Sequence, residues 1–285
     1  MKTYVVYFIL FTLILFIFLS IKYTTSNVEL FNELYDIPFN IKRKKNDTAT
    51  VISGVPLVIY QSWHTNKIPY HMKETIYKLL DMNPEFDYYL YSDEKSREFI
   101  SANYSQEVLS AFDTLKPGAY KSDLWRYCIL YKTGGVYLDI KYFSVSPLLD
   151  IVRVTPIVYV KENDISCEGT YNKIYNGFMV SPPNNVIFKM CIDEIVNNCK
   201  LKLYKGGPLH VTGPCLFGKL VYEHNGNEYV NVINIQLDIV SDDIFRIVHN
   251  NVEFLKSYKE YRYEQKKYQK LERYTKMWND KNIYY

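Results

Sequence analysis

Ser122-Asp123-Leu124-Trp125-Arg126-Tyr127, a short apolar run, and then Gly134-Gly135-Val136-Tyr137-Leu138-Asp139-Ile140-Lys141 form the stretch on which the reading of this chain turns. Pro117-Gly118 opens a helix predicted to run to about Lys132, with proline near its start and glycine just past its end. Gly134 suits the left-handed position that closes a helix. A β-type run over residues 136–140 follows at once. Asp123 and Arg126 are spaced i, i+3 and share a helix face. Along the strand, Asp139 and Lys141 face one way, Leu138 and Ile140 the other. The glycine turn returns the strand beside the helix, so Asp123, Arg126 and Asp139 are expected to converge on one crevice. A lone acid–base pair on a helix is ordinarily a solvated ion pair worth less than about 1 kcal/mol. Set beside a strand-end acid, it reads instead as part of a polar site.

Outward from this stretch, strands and helices alternate. Val55-Pro56-Leu57-Val58-Ile59-Tyr60 reads as a buried first strand, residues 71–80 as a helix and 86–91 as a second strand. Asp93 is expected to cap a helix through Ile100. Further strands are predicted at 156–161, 174–181, 229–235 and 244–249. Asn184 or Asn185 is expected to cap a helix to about Cys199, and another helix covers 215–222. This alternation argues an α/β sandwich with a mostly parallel sheet. Such sheets bind ligands beyond the carboxyl ends of their strands, where Asp139 stands.

The chain has 285 residues, 48% of them hydrophobic and 23% charged, with a net charge of +3. That is too apolar for a disordered chain and gives no reason to invoke nucleic acid. Residues 4–21 carry no charge and would extend about 27 Å as a helix, so they are read as one transmembrane signal anchor. Residues 1–3 are then a cytosolic end, 22–50 a stem, and 51–285 the folded domain. The positive-inside rule does not decide orientation, because lysines lie on both sides of the span; a type II arrangement with a luminal, Golgi- or ER-like domain is the expectation. The five cysteines show no C-x-x-C spacing, which argues against structural zinc. Cys191 and Cys199 lie about 12 Å apart on one helix, too far for a disulfide, while other cross-element pairings stay open. From about residue 252 the tail is rich in Tyr, Lys and Arg and reads as a helix packed on the domain, with a donor lid or a membrane contact as alternatives.

These residues resemble glycosyltransferase family 32, the group of initiating α-1,6-mannosyltransferases and capsular sugar transferases. The resemblance starts at Ile59-Tyr60-Gln61-Ser62-Trp63. It continues through Ser122-Asp123-x-x-Arg126-Tyr127 and Gly134-Gly135-Val136-Tyr137-Leu138-Asp139, with fainter echoes at Asn176-Gly177-Phe178, Thr212-Gly213-Pro214 and His249-Asn250. It implies a GT-A, Rossmann-like α/β/α fold, a UDP- or GDP-sugar donor, a glycan or glycoconjugate acceptor, retention of anomeric configuration and a Mn²⁺ or Mg²⁺ ion. Carried over by residue, it implies Asp123, Arg126 and Asp139 as catalytic, and Lys141, which shares the Asp139 face of the strand, completes the expected catalytic set as a phosphate contact. Gln61, Trp63, Asp123, Arg126, Tyr127, Gly135, Asp139 and Asn176 would bind the donor, and Asp139 with His249 would hold the metal. Asp164 and Glu168 are candidates for contacting the acceptor.

One position departs from the pattern. Lys141 stands where the second acid of the family's D-x-D would be. At about 4 Å and an effective dielectric near 20, a like-charge contact costs about 4 kcal/mol per unit charge, and a divalent ion doubles it. Either Asp139 holds a metal with Lys141 turned away, or Lys141 itself neutralises the departing diphosphate. Rival readings are an inactive sugar-nucleotide-binding relative and a membrane-tethered structural partner. Oligomeric state is open.

Overall fold

The computed structural model describes residues 12–18, 33–42, 50–167, 171–225, 235–241, 244–249, 252–269 and 272–285. Residues 12–18 form α1. In chain order there follow β1 (Leu34–Asp36), β2 (Asn40–Ile41), β3 (Val51–Ile52), β4 (Val55–Pro56), β5 (Val58–Ser62), β6 (Lys67–Pro69), α2 (Tyr70–Met82), β7 (Asp87–Tyr91), α3 (Asp93–Asn103), α4 (Gln106–Thr114) and α5 (Gly118–Thr133). The second half contains β8 (Gly135–Leu138), β9 (Tyr142–Ser144), α6 (Leu148–Val154), β10 (Val158–Cys167), β11 (Tyr171–Ser181), α7 (Val186–Lys200), α8 (Pro214–Asn225), β12 (Ile235–Ser241), β13 (Ile244–His249), β14 (Val252–Ser257), α9 (Tyr261–Tyr268) and α10 (Tyr274–Asn279).

The two-residue period of the central strands builds the layers. Val136 and Leu138 of β8 join one buried apolar cluster, Tyr137 the other. The same alternation puts Ile59 and Tyr60 of β5, and Phe178 and Met179 of β11, on opposite faces. Side chains of α3, α4, α5, α7 and α8 fill the Tyr137 side, and those of α2 and α6 the Val136 side. Helices thus cover both faces of one sheet, as the alternating elements led us to expect.

The expectation of a mostly parallel sheet is corrected. Ten strands run in the order β2-β7-β5-β8-β11-β10-β12-β13-β14-β9. Only the β7·β5, β5·β8 and β10·β12 pairs are parallel; the other neighbours are antiparallel. The reason lies in the connections. The β10–β11 hairpin and the β12-β13-β14 meander join neighbours through short links, and a short link permits only antiparallel pairing. The parallel trio is built by crossovers through α2 and through α3–α5, and it carries the Asp139 end of β8.

Other boundaries shift for local reasons. Ser92, not Asp93, caps α3, its side chain accepting a hydrogen bond from the Lys95 amide at 3.1 Å. Asn185 caps α7 by accepting from the Ile187 amide at 3.0 Å. The tail is not helical throughout: its first segment is β14, pinned between β13 and β9 in the sheet. Part of the segment expected as a stem belongs to the folded unit, since β1 pairs with β6, β2 with β7, and Ile37 is buried. Most of the strand predicted at 229–235 lies outside the described residues.

Among the described residues no helix is long and apolar enough to cross a membrane. The span expected at 4–21 lies outside them except for α1, whose side chains Leu13 to Phe18 are 45–72% exposed. Cys167, ending β10, is joined by a disulfide to Cys215 at the start of α8, and Cys128, Cys191 and Cys199 are free and buried.

Candidate active site

The carboxyl ends of β5 and β8 and the first turns of α5 open on a cleft of about 1230 Å³. Asp123, Arg126, Asp139, Lys141, Asn176 and Trp63 all line it. The convergence expected from the glycine turn is therefore present. Gly134 closes α5 with φ of 65°. Gly135 follows with φ of 111°, and a side chain there would sit 2.9 Å from the Val58 carbonyl oxygen of β5. Only glycine lets β8 approach β5 so closely. Gly135 thus shapes the site by packing and does not line the cleft, which corrects its expected donor contact.

Arg126 is the hub. Its guanidinium lies 3.5 Å from both Asp123 Oδ1 and Asp139 Oδ1 and stacks 4.3 Å from the centre of the Tyr137 ring. Nε donates to the Ser122 carbonyl at 3.2 Å, one terminal nitrogen to the Asn176 carbonyl at 2.8 Å, and the other to Ser122 Oγ at 2.9 Å. Burial opposes its charge, yet Tyr137 and the two carboxylates prevail and hold it protonated above its ordinary range. Its three nitrogens donate to Ser122 and Asn176, which fixes the guanidinium between the two acids at the edge of the cleft.

Each acid has its own cradle. Asp123 accepts from Asn176 Nδ2 at 2.9 Å and from Thr212 Oγ1 at 2.7 Å. Burial raises its carboxyl above the ordinary range, against the pull of Arg126 and Thr212. Asp139 accepts from the Tyr137 and Tyr175 hydroxyls, both at 3.0 Å. Burial pushes its carboxyl up as well, but Arg126 and Lys141 outweigh that and hold it low and ionised. The Asp139 backbone is fixed by its own N–H donating to the Gly177 carbonyl at 2.8 Å and by Gln61 Nε2 donating to its carbonyl at 3.2 Å.

Two residues expected at the donor lie behind the site. Gln61 is fully buried, spanning the Tyr88 hydroxyl, which donates to its Oε1, and the Asp139 carbonyl. Tyr127 is likewise buried, its hydroxyl accepting from Asn176 and donating to the Thr212 carbonyl. Both position the acids, and neither borders the cleft. Trp63 does, beside His64, their rings 4.8 Å apart. The Trp63 indole N–H is buried with no hydrogen-bond partner among the described residues. Asp164 falls within β10 instead of a loop, and Glu168 lies outside the described residues.

His249 is a further correction. It closes β13, whereas Phe245, at the other end of the same strand, is the residue that reaches the cleft. Four residues of strand place His249 about 13 Å away. Strand polarity, which no local pattern reveals, decided this.

A divalent ion does not fit the donor set. Arg126 and Lys141 flank the Asp139 carboxylate, each 3.5 Å from one of its oxygens, so a divalent ion would have to enter against two fixed cations. No cluster of three His, Cys, Asp or Glu ligands includes Asp139 among the described residues. The one such cluster found there is Cys167, His210 and Cys215, whose cysteines are joined to each other.

Sequence reasoning missed Tyr175 and signalled two other parts of the site only faintly. Tyr175 carries no motif signal. Thr212 was visible only as a faint Thr-Gly-Pro echo. The far wall, with Tyr261, Arg262, Arg273 and Tyr274, comes from the tail.

Comparison with known proteins finds the following likenesses. Residues 69–158 match the family described as "Glycosyltransferase sugar-binding region containing DXD motif". Inositol phosphoceramide mannosyltransferase 2 of Schizosaccharomyces pombe is 30% identical over 159 residues, 55% of this chain and 44% of that protein. The initiation-specific alpha-1,6-mannosyltransferase of Candida albicans is 31% identical over 85 residues, 29% of this chain and 22% of that protein. The chain thus aligns with less than half the length of either relative. A solved structure, the PaToxG glycosyltransferase, is a looser likeness, with a TM-score of 0.48 and 15% identity over 60% of this chain and 70% of that one. By its motifs and its relatives the chain is similar to the family 32 glycosyltransferases, and its residues 69–158 match a glycosyltransferase sugar-binding region.

Proposed function

We propose that this chain transfers a hexose, mannose before others, from a nucleotide-sugar donor to a hydroxyl of a glycan or glycoconjugate, with retention of anomeric configuration. The observation that carries the reading is the meeting of Asp123, Arg126 and Asp139 on one cleft large enough for a sugar nucleotide. Mannose is favoured because the relatives above are named mannosyltransferases.

In this reading Asp123 and Asp139 accept hydrogen bonds from the donor sugar's hydroxyls, through the lone pairs that Thr212, Asn176, Tyr137 and Tyr175 leave free. The flat face of Trp63 and its unpartnered N–H suit the nucleoside. The bond from the anomeric carbon to the diphosphate oxygen breaks, its electron pair leaving with the diphosphate. The acceptor oxygen forms the new bond on the same face, and its proton passes to the departing diphosphate. Cationic groups in the cleft oppose the charge that builds there. A single folded unit that takes in β1 and β2 as well as residues 51–285, anchored through residues 4–21 with the domain luminal, accords with the exposed apolar side chains of α1 and with the disulfide.

The test is transfer by the full chain from GDP-mannose, with UDP-glucose as the comparison donor, to inositol phosphoceramide and to mannosides, read by mass spectrometry. Asp139→Asn should lower product formation roughly 100-fold or more in a variant that circular dichroism shows to be still folded. Equal turnover in the variant would overturn the assignment.

A further inference from the structure

Lys141 is 7% exposed, yet its ammonium borders the cleft. It lies 3.5 Å from Asp139 Oδ2. Aromatic rings surround it: Phe245 at 4.6 Å, Tyr142 at 5.1 Å and Tyr175 at 5.5 Å from ring centre to nitrogen. Its carbonyl accepts the Tyr258 amide at 3.0 Å, which ties this turn to the tail. The position is therefore built. A lysine stem is threaded through a cage that fixes where the charge sits, and Asp139 keeps that charge in place.

A second cation shares the cage. The Arg262 guanidinium lies 5.8 Å from the centre of the same Phe245 ring and also lines the cleft. Gln265 Oε1 accepts one of its terminal N–H groups at 2.9 Å. Phe245 thus presents both cations to one region. Lys141 is buried and Arg262 half-buried, and the guanidinium disfavours the ammonium's charge, a repulsion that an added anion would relieve. Arg126 already donates to Ser122 and Asn176 and lies 3.5 Å from both carboxylates, which ranks it behind these two cations for binding that anion.

We infer that Lys141 and Arg262, gathered on the Phe245 ring, take the place of the divalent ion and bind the donor's diphosphate directly. The inference rests on the transferase reading and deepens it. Two fixed monovalent cations supply the charge of one divalent ion. The ammonium offers point-charge donors and the guanidinium a planar fork, a pairing suited to a bridged diphosphate. As the bond to the anomeric carbon breaks, the electron pair and the acceptor's proton arrive on oxygens that these groups already hold. A metal would have to enter against Lys141 on one side of Asp139 and Arg126 on the other.

The experiment is calorimetric titration of the full chain with GDP and with UDP, in EDTA and again in Mn²⁺. The nucleotide that binds should bind within about twofold as tightly in EDTA as in Mn²⁺. Lys141→Met and Arg262→Gln should each weaken that binding at least tenfold at an unchanged thermal midpoint. Lys141→Arg keeps the charge and should keep EDTA-insensitive binding. Lys141→Asp restores the second acid, so it should lose binding in EDTA and recover it in Mn²⁺. This gain of metal dependence is a readout that no merely structural role for Lys141 would produce. A wild-type affinity that falls tenfold or more on chelation overturns the inference and leaves the transferase reading standing. Failure of the wild type to bind either nucleotide, with or without Mn²⁺, overturns the transferase reading and the inference together.

Discussion

At the scale of single residues, the site is governed by how little room its acids have. A Cβ on Gly177 would collide with the Tyr175 ring and come 2.6 Å from Asp139 Oδ2. Gly177→Ala should therefore push the tyrosine off the carboxylate. We expect a stability loss of about 1–3 kcal/mol, as for overpacked interiors, and a larger proportional loss of transfer, measured by chemical denaturation and initial rates. The charge on Lys141 sets a pH limit. Burial lowers its pKa, Arg262 adds to the effect and Asp139 opposes it; Tyr142, Tyr175, Tyr261 and Arg126 are its other titratable neighbours. Nucleotide affinity should thus decline with rising pH below the ordinary lysine value of about 10.4. In Lys141→Arg this decline should move to higher pH, because the guanidinium stays protonated, as titrations across pH 7 to 10 would show. Much of this was legible beforehand. Helix period and strand period alone put Asp123 beside Arg126 and Asp139 beside Lys141. The same patterns could not tell a residue that faces substrate from one that braces it. Gln61 and Tyr127 sit in the motif but under the site, because depth in a fold is set by the layers above, not by spacing.

At the scale of elements, long-range contacts hold the cleft's walls. No side chain of its own caps α2; instead Glu264 of α9 accepts the His71 amide at 3.1 Å and the Tyr258 hydroxyl at 2.8 Å. This buried carboxylate fastens the helix that carries Arg262. Glu264→Ala strands those donors, which should cost about 1–3 kcal/mol. It should also weaken nucleotide binding although Glu264 touches no ligand, a pairing of effects that thermal melts and calorimetry would register. Elements with strong local signals were the readable ones, such as α5 between Pro117 and Gly134. β14 was not readable. Val252-Glu253-Phe254-Leu255-Lys256-Ser257 sits in a Tyr- and Lys-rich tail, and only its neighbours β13 and β9 make it a strand. His249 failed for the same reason: which end of β13 meets the cleft is a property of the sheet.

At the scale of the whole molecule, the last residues are part of the foundation. Ile283 is fully buried, and Tyr284 and Met277 nearly so. The Lys116 amide donates to the Ile283 carbonyl at 2.9 Å and the Tyr285 amide to the Thr114 carbonyl at 2.9 Å, which ties the terminus between α4 and α5. Burial of such side chains stabilises by about 1.5–3 kcal/mol each. Removing residues 272–285 should therefore destabilise the chain by about 5 kcal/mol or more in a urea titration, and it deletes Arg273 and Tyr274 from the cleft. The parallel half of the sheet, which bears the acids, was anticipated from alternation. The antiparallel half was not, because hairpin and meander links leave the same short strands in the sequence as crossovers do.

The sulfur bridge from Cys167 to Cys215 lies three residues beyond Thr212, whose hydroxyl steadies Asp123. A covalent strut thus reaches almost to the Asp123 carboxylate. Where glutathione keeps thiols apart, the strut is missing and the Thr212 loop hangs from its hydrogen bonds alone. The electron economy of the compartment in which the chain matures becomes, in effect, one more ingredient of its binding pocket.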